Sequence, residues 1–159
     1  MPVSRIATAA LLFALAGGAA AAQECAPGAL DLRDADSTLR FQIEVVDSEE
    51  GRARGLMFRE NLPRFGGMLF VYPQPGPVAF WMRNTLIPLD MLFFDATGRL
   101  TRIHENAVPL DETPIPGGSD IQYVLEVNGG TVAQLGIDLG AELRHPALDP
   151  DTAAWPCGD

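Results

Sequence analysis

The sequence contains no lysine. All 11 of its basic residues are arginine, set against 21 aspartates and glutamates, and the formal net charge is −10. Nucleic acid and anionic lipid are bound by neutralising phosphates with Lys and Arg, so a surface this acidic repels both. No nucleic-acid partner is expected. An all-arginine basic set also suits a GC-rich genome, so the missing lysine carries no function of its own. Only two cysteines and two histidines occur. Cys25 and Cys157 lack the C-x-x-C spacing of a redox site, and with His104 and His145 they make no zinc-ligand pattern. No cofactor is expected. There is no G-x-S-x-G, no H-E-x-x-H and no phosphate-cradling glycine loop. Internal repeats and coiled-coil heptads are absent as well.

One long apolar run is present, and it opens the chain. Arg5 precedes Ile6–Ala16 (IATAALLFALA), Gly17-Gly18 breaks the helical tendency, and Ala19–Ala22 supplies an A-x-A pattern. This is the layout of a cleavable secretory signal peptide, residues 1–22, cut after Ala22. As a retained anchor, Ile6–Ala22 would lie at the short limit for crossing a bilayer, and its second half is only Ala and Gly. Cys25 follows Ala22-Gln23-Glu24, which is no lipobox. No later stretch is long and apolar enough to span a membrane. The expected location is the periplasm or the exterior, as a monomer. In that compartment Cys25 and Cys157 read as a disulfide, against the alternative of two free thiols in loose tails. A bridge closing so long a loop is worth about 4 to 5 kcal/mol on loop-entropy grounds.

After the leader, residues 23–38 are turn-rich and polar and read as an N-terminal arm. A domain over 39–145 and a polar C-terminal tail over 146–159 follow. Thr38–Val46 alternates: Leu39, Phe41, Ile43 and Val45 share one face, Arg40, Gln42 and Glu44 the other, which marks a half-buried strand. Asp47 with Glu50 three residues on predicts a helix start, and Gly55 its stop. Met68–Tyr72 reads as a strand, and Pro73, Pro75 and Pro77 as a stiff turn. Val78–Arg83, Leu89–Phe94, Arg99–Glu105, Ile121–Asn128 and Leu139–Arg144 read as further strands. Residues 107–120 read as a long irregular loop, the kind that often forms a functional rim. Thr131 is placed as cap of a short helix to Leu135. Six or seven short strands with one or two short helices give a mainly β, α+β domain. Its sheet is expected to be largely antiparallel and barrel-like.

Four strings stand out: Arg52-Ala53-Arg54-Gly55-Leu56-Met57-Phe58-Arg59, Gly67-Met68-Leu69-Phe70-Val71, Phe80 through Phe93 (FWMRNTLIPLDMLF), and Tyr123 through Gly130 (YVLEVNGG). In that order they closely resemble the domain-of-unknown-function 192 family, from about Leu39 to Arg144. The resemblance implies a compact β-rich domain, often exported, with no settled activity. Arg83 stands where the family pattern commonly has Lys, which keeps the charge and changes its geometry.

The candidate site residues follow from these strings. On their strands, Asp90 shares a face with Leu92 and Phe94, and Glu126 shares one with Val124. A carboxylate among apolar neighbours must be paired, hydrogen-bonded or at an edge. Asp90 and Glu126 are therefore either structural acceptors, paired with Arg54, Arg59 or Arg83, or they converge on a cleft. In a cleft one carboxyl would serve as general acid or base and an arginine would hold an anion. Trp81 points opposite to Phe80 and Met82, either into core or into a groove. In a groove beside Arg83, Asn84 and Thr85 it suits sugar or peptide binding. Met57, Met68, Met82 and Met91 admit a remote alternative, a Cu(I) site of thioethers under a Trp face, against the ordinary use of Met as core filler. Three functions are thus carried forward. First is a periplasmic binding or accessory module for a small molecule, a glycan or an envelope protein. Second is a hydrolase or lyase using Asp90 and Glu126 with Arg54 or Arg59. Third is the copper site.

Export predicts that protein recovered from the cell envelope begins at Gln23. N-terminal sequencing that finds residues 1–22 still attached contradicts it.

Overall fold

Strand alternation puts apolar side chains on both faces of one sheet, and that decides the architecture. The computed structural model describes residues 24–35 and 37–158, so the leader expected over residues 1–22 lies outside them. The strands are β1 (Ala29–Arg33), β2 (Thr38–Val46), β3 (Gly66–Phe80), β4 (Leu89–Phe94), β5 (Leu100–Ala107), β6 (Ile115–Asn128) and β7 (Glu142–Arg144). Helix α1 (Glu49–Arg54) follows β2, and α2 (Thr131–Leu135) follows β6. Sheet order is β5-β4-β6-β3-β2-β1-β7. The domain is mainly β, and its sheet is largely antiparallel. The exception is β2–β3, which α1 joins as a parallel pair.

The sheet curls into a half-barrel, and backbone bonds tie its two ends. Leu100 N donates to Ala141 O at 2.8 Å, and Leu143 N donates to Gly98 O at 2.8 Å. Glu142 sits on this seam and takes Arg33 at 2.8 Å and Arg99 at 2.7 Å. Among the described residues no helix is long and apolar enough to cross a membrane.

Several local expectations change. Residues 29–33, expected in an arm, form β1 inside the sheet between β2 and β7. Asp31 hid this strand, because a charge interrupts its apolar run. It is buried and paired with Arg144 at 2.7 Å, with Arg40 at 3.6 Å. Ser48, not Asp47, caps α1, accepting from Gly51 N at 3.1 Å. The three prolines do not end a strand. They lie within β3, beyond Phe70, where pairing with β2 has stopped. A missing N–H costs least on such an edge, and the β3–β6 ladder shows its register shifts there. β6 begins at Ile115, inside the stretch expected to be a loop. For α2 the cap residue is Gly130, with no side-chain bond of its own.

The C-terminal tail is fastened to β1 and β7. Trp155 is buried with Arg33 and Arg144 over its ring, at 4.5 and 4.3 Å. His145 Nε2 donates to Pro27 O at 3.0 Å while Nδ1 accepts from Ala147 N, so the buried ring is neutral; desolvation lowers its pKa. The expected Cys25–Cys157 disulfide is present and spans 132 residues.

Two apolar clusters occupy the two faces of the sheet. Leu69, Leu92, Phe94, Leu125 and Val127 belong to one. Met68, Phe70, Met91, Phe93 and Val124 belong to the other, together with Leu56 and Met82.

Reducing the bridge restores chain entropy to the unfolded state. The expected loss is up to about 5 kcal/mol, read as a lower urea midpoint for the reduced protein. An unchanged midpoint would mean that the terminal clasp adds nothing.

Candidate functional site

The central strand β6 pairs with β3 on one side and β4 on the other. Met68 and Met91 lie directly opposite Glu126 on these neighbours. Paired residues point to the same face, so Glu126 projects between two thioethers on the face of Phe70, Phe93 and Val124. Helix α1 and the turn after it fold over that face. Gly55 makes this possible: its φ is 49°, and a Cβ there would meet the Phe70 ring at 3.2 Å. The turn drives Leu56 into the core at 2% exposure. Arg52 fastens α1 from the other side, donating to Val71 O at 2.8 Å and to Asp47 O, and stacking 5.0 Å from the Tyr72 ring centroid.

Between these parts lies a cleft of about 540 Å³. Phe80, Trp81 and Tyr72 form its walls, Arg52 and Arg54 stand at the α1 side, and Glu126 is its floor. A second turn closes it. Met57 meets Asn84 Nδ2 at 3.9 Å, and Phe58 N donates to Asn84 O at 2.8 Å. Phe58 and Asn84 both have positive φ, 64° and 55°. Backbone strain of this kind, in a bulky residue above all, collects where a site must be shaped.

Glu126 is 4% exposed and makes no hydrogen bond or ion pair with any described residue. Burial pushes its carboxyl up to about 8. At neutral pH it therefore holds its proton and presents an O–H donor to the cleft. The Tyr72 phenol beside it is also raised, first by burial. The Arg52 charge opposes that shift and Glu126 adds to it.

The expected site residues separate. Arg54, Trp81, Thr85 and Glu126 come together at the cleft. Trp81 is 44% exposed, so it is a wall and not core. Arg83 stands 5.4 Å over the Trp81 ring as its support, and Asn84 is a turn residue that clasps the 56–59 segment. Asp90 is on the opposite face. Its carboxylate accepts from Asn106 N (2.8 Å), Gly130 N (3.0 Å) and Val132 N (2.8 Å), which caps α2 from a distant strand. The paired-carboxylate arrangement with Glu126 is thereby lost. Arg59 is held outside by Glu44 at 2.6 Å. Met68, Met82 and Met91 are core residues at 3% exposure or less, and only Met57 of the four borders this cleft. No solvent-reachable thioether set forms there for copper. Among the described residues no group of three or more His, Cys, Asp or Glu is placed to hold a metal. Tyr72 and Arg52 were not among the expected site residues. Their signal was the step of two from Phe70 to Tyr72 along one strand, masked by the prolines that follow.

Residues 31–145 match the family model DUF192, described as an uncharacterised ACR. The chain belongs to the domain-of-unknown-function 192 family. Two solved structures are similar to this family member. A protein of unknown function from Novosphingobium aromaticivorans DSM 12444 is 40% identical, with 72% of this chain and 82% of that one covered and a TM-score of 0.71. A protein from Sinorhizobium meliloti 1021, described as a candidate transcription regulator, is 38% identical, with 80% and 99% covered and a TM-score of 0.75. No curated protein matches the chain. The strings by which this chain resembles the domain-of-unknown-function 192 family meet at the cleft: Arg52, Gly55 and Met57 from one, Phe70 from another, Phe80, Trp81 and Thr85 from a third, Glu126 from the last.

A carboxyl with a higher pKa when folded than when unfolded holds more protons when folded. Stability contributed by protonated Glu126 therefore falls as pH rises from about 4.5 to about 8 and is level above. The full difference is at most about 4 to 5 kcal/mol. Glu126→Gln is expected to match the native protein below pH 4.5 and to melt higher than it at pH 9. Parallel melting profiles across this range would contradict the buried, protonated carboxyl.

Proposed function

We propose that this chain is an exported, periplasmic binding or accessory module that works as a monomer and holds a ring-bearing polar ligand in the Trp81–Glu126 cleft. One observation carries the reading: a carboxyl that is 4% exposed, with no hydrogen bond or ion pair to any described residue, lies on the floor of an open cleft. Asp90, by contrast, takes three backbone N–H donors. A carboxyl that opens on a cleft and has no partner among the described residues is free to bond a ligand there, and perturbed acids of this kind gather at functional sites. Aromatic walls with a few convergent polar groups are the usual make-up of small-molecule and sugar sites. Export is supported by the leader and by the Cys25–Cys157 bridge, which is stable in an oxidising compartment. The regulator description belongs to the Sinorhizobium protein; the net charge of −10 weighs against phosphate-backbone binding here.

A second reading, a hydrolase or lyase acting on an envelope glycan, is favoured by the same proton. A carboxylic acid protonated at neutral pH is a general acid. It would act with Arg54 and without Asp90 or Arg59.

A thermal-shift screen against envelope glycans, short peptides and metal ions tests the module. A ring-bearing ligand is expected to raise the melting temperature by mass action, and Trp81→Ala, at an exposed position, is expected to abolish the rise. A rise that survives Trp81→Ala would place the ligand elsewhere. Conversion of a glycan, lost in Glu126→Gln, would move the reading to the enzyme.

A further inference from the structure

The free polar groups of the cleft are almost all donors. Arg54 is exposed and makes no hydrogen bond or ion pair with any described residue. Arg52 spends Nη1 on two carbonyls and keeps its charge at the wall, against Tyr72. Tyr72 and protonated Glu126 add two hydroxyl donors. The one acid facing them is Glu49, exposed at the start of α1. In a chain of net charge −10, the cleft is thus a local excess of positive charge. A donor-lined cleft with aromatic walls calls for a ligand rich in acceptors and carrying a ring.

We infer that the cleft takes a carboxylate-bearing sugar, an acidic glycan unit whose carboxylate is bound by the Arg54 guanidinium and the Glu126 carboxylic O–H, with its ring against Trp81. This rests on the cleft being a ligand site at all, and it names the ligand class. Arg54 at the lip gives a charge-assisted bond that needs no reorganisation of the fold, since nothing in the described chain competes for it. Glu126 discriminates by its proton. Protonated, it donates to the ligand carboxylate; ionised, it faces that carboxylate as a like charge. The groups around it keep this proton decisive. Glu49, Arg52 and Arg54 from α1 also face the cleft, β4 sets Met91 beside Glu126, and burial raises the Tyr72 phenol of β3 further above its ordinary value of 10.0. Binding is therefore strong in the neutral range and weakens as pH rises through about 8.

The test is calorimetric or NMR titration of the purified protein with trigalacturonate, maltotriose and the chitosan trimer, near pH 6 and near pH 9.5. Trigalacturonate is expected to bind at pH 6 about tenfold or more tighter than maltotriose, a gap of the size a charge-assisted bond gives. The affinity is expected to fall about tenfold at pH 9.5 in the native protein, to stay flat with pH in Glu126→Gln, and to drop at both pH values in Arg54→Ala. Equal binding of maltotriose and trigalacturonate overturns the acidic-sugar inference while leaving the ring-binding cleft standing. Preference for the cationic trimer overturns it too, because an ionised Glu126 would then be the attracting group. Absence of binding by all three overturns the acidic-sugar inference, and the thermal-shift screen with peptides and other glycans then decides the cleft reading separately.

Discussion

A side chain on a strand cannot choose its face independently of its neighbours, and β6 is where this constraint governs the molecule. β6 is hydrogen-bonded along both edges, so its register with β3 and β4 fixes which cluster each of its residues enters. Val127 and Leu125 must enter one cluster, and Glu126 and Val124 must then enter the other. A carboxyl is thus committed to an apolar face, between Met68 and Met91. A slip of one residue would bring Glu126 to the face of Leu69 and Leu92 and lift Leu125 and Val127 out of their core. The packing of both faces therefore maintains an acid that no other described residue bonds.

The contrast with the other buried acids separates structure from function. Asp90 accepts three backbone N–H bonds and ties β4, β5 and α2 together. Asp31 is met by Arg144 and Arg40, and the same arginine stacks on Trp155 to hold the tail beside the disulfide. Both acids are held by partners within the fold. Glu126 has no partner among the described residues, keeps its proton and opens on a cleft. Removing a partner from a buried ion pair costs several kcal/mol because a naked charge is left behind, whereas a buried acid that keeps its proton avoids most of that cost. Protonation is what lets Glu126 remain on the floor of the cleft in the empty protein.

Much of this was legible beforehand, residue by residue. The alternation within Leu89–Phe94 and Tyr123–Asn128 already put Asp90 and Glu126 among apolar side chains, and the cysteine pair already read as a disulfide. Pairing between strands was not legible, and pairing is what put the two acids on opposite faces. Sequence gives the parity within a strand but not the register across strands. β1 was missed because Asp31 disguises a buried strand as a polar arm; its partner Arg144 lies more than a hundred residues away. The run of β3 through Pro73, Pro75 and Pro77 was missed because proline ordinarily ends a strand, and only the sheet order shows that this segment has lost its β2 neighbour. Trp81 was legible as a choice between core and groove, and α1 folding over the face decides for the groove.

The central claim is that Glu126 carries a proton at neutral pH inside the cleft. Carbon-13 NMR of its side-chain carboxyl, followed through a pH titration with Glu126→Gln as the assignment control, measures that directly. A midpoint near 8 is predicted for the empty protein. A midpoint near the ordinary glutamate value of about 4.5 would contradict the account, because it would mean an ionised, solvated side chain and no donor on the floor of the cleft.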